Sequence, residues 1–305
     1  MTGKSNDPVS GLDHFRSQVS TLIGSRQIAL WRALDLSYTL RDTAFIYFLL
    51  TSSVIGSCWL HALWGPIALT AAPLFALLAG VGFNWINVQI HEASHYLLLR
   101  HKRRNDMYCN LALGSLGLQD VETYRATHIR HHAYLHTQRD PDLWIYTSNI
   151  GSFRQVARGI LDDLCLRTIF RRKQQVDEFI KMTGMARGAA PRYVLFVKLL
   201  AQCFILGAFI WACGSWGPAY YLAVYLYGLL GVFPVLVRIR TVVQHFDSSL
   251  RVAKEEAPSP FISRSTVAPL AEFVLVGARM DYHFEHHLYP NLPYYGLRVR
   301  ARISS

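Results

Sequence analysis

Histidine is the residue type whose number and spacing point most directly to chemistry in this chain. The sequence contains 13 histidines, and eight of them lie in three short clusters. The clusters read His91-Glu-Ala-Ser-His95, His128-Ile-Arg-His131-His132 and His283-Phe-Glu-His286-His287. Imidazole is the commonest metal-binding side chain and suits zinc, copper, iron and nickel. The three clusters therefore predict a metal centre.

Each cluster has the spacing of residues that share one face of a helix. Because positions i, i+3 and i+4 are neighbours on a helix surface, we expect each cluster to aim its imidazoles in one direction. His245 is a ninth candidate ligand, since it follows the last of the apolar segments described below. Nine imidazoles exceed the four ligands of a tetrahedral metal but suit two metals with four or five each. The ligand type alone does not decide between iron and zinc.

Long apolar segments precede and separate these clusters. No Asp, Glu, Lys or Arg occurs from Thr43 to Ile90, and Lys198 is the only such residue from Tyr193 to Val237. A membrane-spanning helix needs about 20 apolar residues. Breaks that contain Gly and Pro divide each run in two. This pattern predicts four transmembrane helices, at about 44–62, 66–89, 193–212 and 218–237.

The composition fits the same class of protein. Hydrophobic residues make up 51% of the 305 residues, charged residues make up 17%, and the formal net charge is +11. An average soluble domain is about one quarter charged. Intrinsic disorder and a disulfide scaffold are excluded, and a soluble enzyme is disfavoured.

The basic residues predict the orientation in the membrane. Both predicted hairpin turns lack charge, whereas the segments before, between and after the hairpins carry nearly all Lys and Arg. The positive-inside rule places those segments, both termini and every clustered histidine in the cytoplasm. We therefore predict a single all-α membrane domain over 1–305, with a cytoplasmic cap formed by 90–192 and 238–305. We expect it to reside in a bacterial inner (plasma) membrane.

Three further segments carry structural expectations. Met107–Leu118 and Thr266–Gly277 are apolar but too short to span a bilayer. Each is either an interfacial or re-entrant segment or the core face of an ordinary helix. We expect flexibility around Arg251–Pro260, where charged residues meet two prolines.

The ordered pattern H-x-x-x-H, H-x-x-H-H, H-x-x-H-H, with a helical hairpin before the third box, resembles the membrane fatty-acid desaturase and hydroxylase superfamily. The densest match runs from Asp281 through the third box to Pro293. Asp140-Pro-Asp142 resembles the acidic trailer of the second box, and Arg240 to His245 looks like the extra ligand region after the last span. The resemblance covers most of the chain.

This resemblance implies a dinuclear iron centre (Fe2+/Fe3+) that uses O2 as co-substrate and abstracts hydrogen from an unactivated carbon. Its expected ligands are His91, His95, His128, His131, His132, His245, His283, His286 and His287. We accordingly expect a non-haem di-iron oxidoreductase that acts on an alkyl chain, in the first place a fatty-acyl or lipid desaturase. Hydroxylation or ketolation of a lipid or other hydrophobic substrate stays open, because those reactions use the same ligands.

The expected partners follow from the same resemblance. No electron-transfer domain is visible in the sequence, so we expect a separate ferredoxin-, rubredoxin- or cytochrome b5-like donor. Membrane lipids surround the spans, and the basic cytoplasmic face suits an acyl carrier protein or a CoA-linked substrate. We expect no nucleic-acid partner.

Groups that accept the second ring N–H of a ligating histidine fix its tautomer. The carboxylate candidates for this supporting role are Glu92, Asp140, Asp142, Asp247, Asp281 and Glu285. Gln244 is a further candidate, because its amide can hold a metal-bound water by hydrogen bonding. Asp281 stands where the resemblance leads us to expect Asn, and Glu92 stands where Asp is frequent.

Two readings from other functional classes compete. His91-Glu92-Ala-Ser-His95 also satisfies H-E-x-x-H, the zinc protease motif in which the glutamate is the general base. That reading leaves six clustered histidines without a role. A metal transporter predicts ionisable residues at mid-membrane, whereas the predicted spans are almost purely apolar.

Overall fold

The computed structural model describes residues 21, 24–135, 137–143, 153–183, 189–245, 263–265, 274, 277 and 281–301. This part of the chain is helical and contains no β-strand, which confirms the predicted all-α class. The α-helices are α1 (Ser25–Trp31), α2 (Leu36–Trp64), α3 (Ala72–Ser94), α4 (Lys102–Tyr108), α5 (Val121–Tyr134), α6 (Phe153–Leu164), α7 (Arg167–Thr183), α8 (Arg192–Cys213), α9 (Gly217–Tyr220), α10 (Phe233–His245), α11 (His283–Leu288) and α12 (Tyr294–Ala301).

Helices α2 and α3 form a first apolar hairpin. Gly65 ends α2 with a φ of 60°, a left-handed conformation that glycine adopts without strain, and a short 3-10 helix (Gly65–Ala71) completes the turn. The two helices run antiparallel. Ser53 Oγ donates to the Phe75 carbonyl at 2.8 Å near the turn, and Gln89 Nε2 donates to Asp42 Oδ2 at 3.1 Å at the other end.

A second apolar hairpin joins α8 to the helical stretch that ends with α10. Gly214, with a φ of 58°, ends α8, and a 3-10 turn (Gly214–Trp216) leads into α9. Two π-helical segments, Tyr221–Leu226 and Gly228–Val232, follow α9 and lead into α10. Both hairpin turns therefore fall at the breaks expected from the sequence.

Two largely helical stretches, Arg26–Ser94 and Arg192–His245, are long and apolar enough to cross a membrane. Each contains one of the hairpins. Large apolar side chains on their outer faces point away from the protein, and Trp211 and Phe204 are 89% and 77% exposed. Such faces fit a lipid surround. Helix α10 ends the second stretch and runs about two turns past the span end predicted at 237. It therefore carries His245 beyond the apolar segment.

The segment Met107–Leu118 packs onto both hairpins. It continues α4 as a π-helix (Cys109–Gly114), with one face buried and the other exposed. The Tyr47 hydroxyl donates to the Ala112 carbonyl at 2.9 Å, and Gln202 Nε2 donates to the Ser115 carbonyl at 3.2 Å. Hydrogen bonds from both hairpins to this segment therefore hold the two hairpins together.

The C-terminal helices are held against the first hairpin. The Tyr294 hydroxyl donates to the buried Asp42 carboxylate, and the Asp35 backbone N–H donates to the Tyr295 hydroxyl at 2.8 Å. Because α12 closely follows α11, these bonds place the third histidine cluster near α3. The segment Arg251–Pro260 and nearly all of Thr266–Gly277 lie outside the described residues.

Candidate metal centre

Four helical segments supply the nine candidate ligands. His91 lies in the last turn of α3 and His95 caps that helix, whereas His245 is the last residue of α10. The second cluster lies in the last turns of α5, and the third forms most of the short helix α11. All nine side chains are at least partly buried.

Five of the imidazoles form the first group, with ligand nitrogens within 4.8 Å of one another. Its members are His91, His95, His128, His132 and His286. Neighbouring Nε2 atoms are much closer than this limit. His91 Nε2 lies 2.7 Å from His286 Nε2, and His132 Nε2 lies 2.9 Å from His128 Nε2.

The other four imidazoles form a second group of the same kind, made by His131, His245, His283 and His287. All four side chains are buried. His283 Nε2 lies 2.8 Å from His245 Nε2 and 3.0 Å from His287 Nε2. The two groups are adjacent, because the ring centres of His132 and His287 are 4.3 Å apart.

The division between the groups corrects one expectation. In each H-x-x-H-H box the histidines four residues apart enter the same group, and the histidine three residues after the first enters the other. Adjacent helix positions differ by about 100° in direction, so the last two residues of the box diverge. The expectation of a single direction was therefore wrong for the second and third boxes, which each contribute to both groups, whereas His91 and His95 of the first box enter the same group.

The donor set fits a pair of metal ions. Metal–nitrogen bonds of about 2.1 Å separate neighbouring ligand atoms by about 3 Å, which agrees with the Nε2 separations of 2.7–3.1 Å in the first group. A neutral imidazole has one donor and one acceptor nitrogen. Several acceptor nitrogens that converge in a buried space need a shared cation to compensate their lone pairs.

The protonation preferences of the histidines agree with metal binding. Burial, together with the neighbouring imidazoles, lowers the pKa of His128, His132, His283, His286 and His287 well below 6.5. Burial and the positive charge of Arg125 lower the pKa of His95 to about 4. Neutral imidazoles with available lone pairs are the form that binds metal.

His131 is the exception, because it has a carboxylate partner. Its Nδ1 lies 2.9 Å from Asp140 Oδ1 and 3.9 Å from Asp142 Oδ2. Burial alone would lower the pKa of His131, but the negative charge of Asp140 outweighs burial and raises it. The hydrogen bond directs Nε2 toward the second group. Asp140 therefore lies where it can fix the tautomer of His131.

The other supporting candidates have different surroundings. Glu92 Oε2 accepts the Tyr294 backbone N–H at 3.2 Å, and Glu285 accepts the Ser265 hydroxyl. Asp281 is buried, 1% exposed. Gln244 is buried beside His245, and its backbone carbonyl accepts the Arg264 N–H at 2.8 Å. Asp247 lies outside the described residues.

The structure adds polar residues that the sequence analysis missed. The Tyr124 hydroxyl lies 3.5 Å from His91 Nδ1. Asn84 and Asn87 lie one helical turn apart within a predicted span, and both bind the buried side chain of Arg240. Polar residues inside an apolar span are a signal of function, and this signal was present in the sequence.

These features define a class: a helical protein with two apolar hairpins that holds two adjacent groups of buried imidazoles suited to metal binding. The chain belongs to the fatty acid desaturase family, whose family model matches residues 66–304. This membership confirms the resemblance drawn from the three histidine boxes.

Two relatives align with most of the length of this chain. The dihydrorhizobitoxine desaturase of Bradyrhizobium elkanii is 23% identical over 275 residues, which are 85% of this chain and 74% of the relative. The beta-carotene ketolase of Paracoccus sp. (strain PC1) is 25% identical over 273 residues, which are 81% of this chain and 89% of the relative. Both names denote oxidoreductases, and this chain is similar to each.

Proposed function

We propose that the two histidine groups bind two iron ions and that the protein is an O2-dependent oxidoreductase of a hydrophobic substrate. The observation that carries this proposal is the arrangement of nine histidines as five and four converging imidazoles in adjacent groups. Two irons there supply O2 activation and an oxidant strong enough to remove hydrogen from an unactivated carbon. Membership of the fatty acid desaturase family supports this chemistry.

The residues around the site prepare it for that task. Burial favours the neutral form of the imidazoles, with His131 beside Asp140 as the exception, so that their nitrogens remain available as ligands. Asp140 holds the His131 ring in one tautomer and one orientation. Because the ligands come from α3, α5, α10 and α11, the site depends on the packing of both hairpins.

We further propose that each hairpin crosses the membrane twice, which gives four spans with the histidines and both termini on the cytoplasmic side. The uncharged turns and the basic segments between the spans support this orientation. A hydrophobic substrate then approaches the centre from the bilayer. Electrons come from a separate donor protein, and the exposed basic segment 100–104 offers a surface for an acidic one.

Desaturation is the reaction we favour, and ketolation is the second candidate. The family and one relative support the first, and the ketolase relative supports the second. The zinc protease reading loses support, because Glu92 binds the Tyr294 backbone and because His91 and His95 share their group with three further histidines.

Metal analysis of the purified protein tests the proposal directly. We expect about two irons per chain, and a single zinc per chain would overturn the iron assignment. Mass spectrometry of lipids from a host with and without the protein then identifies the product. A new double bond indicates desaturation, and a gain of oxygen indicates hydroxylation or ketolation. Unchanged lipids from cells whose protein carries two irons would exclude host lipids as substrates.

A further inference from the structure

Two cysteines are neighbours where the two hairpins pack together near their turns. Cys58 lies in the last two turns of α2, and Cys213 is the last residue of α8. Their thiols pair through a side-chain hydrogen bond, so a sulfur atom of each hairpin lies beside one of the other. Cys213 is buried, Cys58 is half-buried, and both pack in the hydrophobic core that the hairpins share.

A second contact about one turn away holds the same parts of the hairpins together. His61 follows Cys58 by three residues on α2, and its Nδ1 lies 3.2 Å from the hydroxyl of Tyr220, the last residue of α9. The two ring centres are 5.0 Å apart, and the Tyr220 side chain is fully buried. Because residues three apart lie on one helix face, the same face of α2 makes both contacts. The cysteines are therefore held next to each other by their surroundings as well as by their own contact.

Exposed tryptophans mark the depth of the cysteine pair in the membrane. Four of them flank the pair in the sequence, namely Trp59, Trp64, Trp211 and Trp216. Tryptophan is enriched where the hydrocarbon core meets water. The pair therefore lies near the membrane surface beside the uncharged turns, at the end of the hairpins opposite the histidine groups.

We propose that Cys58 and Cys213 form a disulfide bond that ties the ends of the two hairpins together. This inference goes beyond the proposed oxidation of a hydrophobic substrate, and it rests on the proposed topology, in which the uncharged turns lie outside the cytoplasm. Disulfides form and persist on that side of a cell membrane, whereas the cytosol keeps thiols reduced. A cross-link there holds the hairpins that carry α3 and α10 without touching the imidazoles.

The bond forms by thiol–disulfide exchange with a protein oxidant that itself carries a disulfide. Cys58 is the more exposed of the two, so its thiolate attacks the oxidant and forms a mixed disulfide, and one oxidant sulfur leaves as a thiolate. The Cys213 thiolate then attacks the Cys58 sulfur and releases the second oxidant sulfur. The two cysteines lose two protons and two electrons, and the oxidant gains them as two thiols.

The alternative is that the two cysteines stay reduced and only pack against each other. Peptide mass spectrometry of the full-length protein separates these possibilities. Cells are lysed in N-ethylmaleimide, which blocks free thiols, and the protein is purified in detergent without reductant and digested. We expect a peptide pair that joins Cys58 to Cys213 in most chains and separates on reduction. If both cysteines carry the maleimide instead, the proposal is overturned.

Thermal unfolding of the iron-loaded protein measures what the bond does. A cross-link between residues far apart in the chain restricts the unfolded state and so stabilises the folded one. Reduction should lower the unfolding temperature of the wild-type protein by about 5 °C or more. Cys58→Ser should unfold at the lower temperature and should not respond further, which also controls for effects of the reductant on the metal centre. A wild-type protein that responds no more than Cys58→Ser would contradict a bond that ties the hairpins.

The matched control is Cys203→Ser, because Cys203 is exposed and lies on the same helix as Cys213. This variant should keep both the linked peptides and the response to reduction. Reporter fusions at Trp64 and Trp216 separate two kinds of failure. Free thiols with turns outside the cytoplasm would reject only the disulfide, whereas free thiols with cytoplasmic turns would reject the proposed topology too. Iron content of the same samples tests the proposed di-iron function independently.

Discussion

The Nδ1 atom of His131 lies 2.9 Å from Asp140 Oδ1, and both side chains are buried. This contact orients one candidate ligand of the second group, His131, His245, His283 and His287, and it joins the second histidine box to the acidic residues that follow it. A ligating histidine whose second nitrogen is bound by a carboxylate is fixed in orientation and is a stronger ligand.

Replacing Asp140 with Asn or Ala should therefore weaken metal binding by the four-histidine group. We expect a loss of about tenfold to 100-fold in affinity, the usual effect of removing such a partner. Metal release to a graded series of chelators measures it. Asp142→Asn is the comparison, because Asp142 lies 3.9 Å from His131 and is 39% exposed. An equal loss in both variants would show that Asp140 acts only through its charge.

His245→Ala should remove one metal and spare the other. The variant leaves three histidines in the second group and all five in the first. We expect a folded protein that binds one iron tightly and shows no turnover, as measured by metal analysis and by product formation. His101→Ala is the control, since His101 is exposed and belongs to neither group. Two tightly bound irons in His245→Ala would exclude His245 as a ligand.

Much of the site was predictable because box spacing and helix geometry are local properties. His245 and Asp140 were both named from the sequence, one from its place after the last span and one from its place after the second box. Two metals with four or five histidines each were expected, but the assignment of each histidine to its group was missed, although the geometry of H-x-x-H-H implies it. His131 and His132 are adjacent, so they point in directions about 100° apart and enter different groups.

The contacts of Arg240 and Tyr294 were not predictable in the same way. Each joins residues far apart in the chain, Arg240 with Asn84 and Asn87, and Tyr294 with Asp42. Such contacts depend on how the hairpins and the C-terminal helices pack, and residue spacing does not specify that packing. Similarly, the sequence shows that Glu285 lies within the third box, but only the fold shows that the Ser265 hydroxyl donates a hydrogen bond to its carboxylate.

Acid should destabilise the metal-free protein. The pKa of His132, like that of His128, His283 and His287, lies well below 6.5 in the folded state, mainly because of burial. As the pH falls through 6.5, the unfolded chain takes up protons that the folded chain does not, so the free energy of unfolding decreases. Each such group contributes up to about 1.4 kcal/mol per pH unit.

His131 has the opposite sign, because its raised pKa adds stability that is lost as the pH rises. Denaturant unfolding of chelator-treated protein between pH 4 and pH 7 measures the net slope, on the order of several protons. The variant His132→Gln should show a slope smaller by about one proton. A pH-independent free energy of unfolding over this range would contradict buried, neutral imidazoles.

The membrane topology has its own test. Reporter fusions or cysteine labelling at Lys173 and Ser304 should indicate the cytoplasm, and labels at Trp64 and Trp216 should indicate the outer side. This pattern follows if each hairpin crosses twice. An external position for Lys173, with a cytoplasmic N-terminus, would require an odd number of crossings before it and would separate the histidine boxes.

Close packing between the hairpins should control the metal site from a distance. Gly228 lies against α3 so closely that an added Cβ would be 2.8 Å from Ala79 Cβ and 2.9 Å from the Ala76 carbonyl oxygen. Because α3 carries His91 and the stretch after Gly228 leads to His245, Gly228→Ala should push apart helices that serve both groups. We expect a loss of about 1–3 kcal/mol in stability, the usual effect of overpacking, together with reduced iron content. Thermal unfolding in detergent and metal analysis measure the two effects.

Gly207→Ala on α8 is the matched control, since nothing lies within 4 Å of its added Cβ. If the two alanine variants behave alike, the contact between α3 and the second hairpin does not constrain the site.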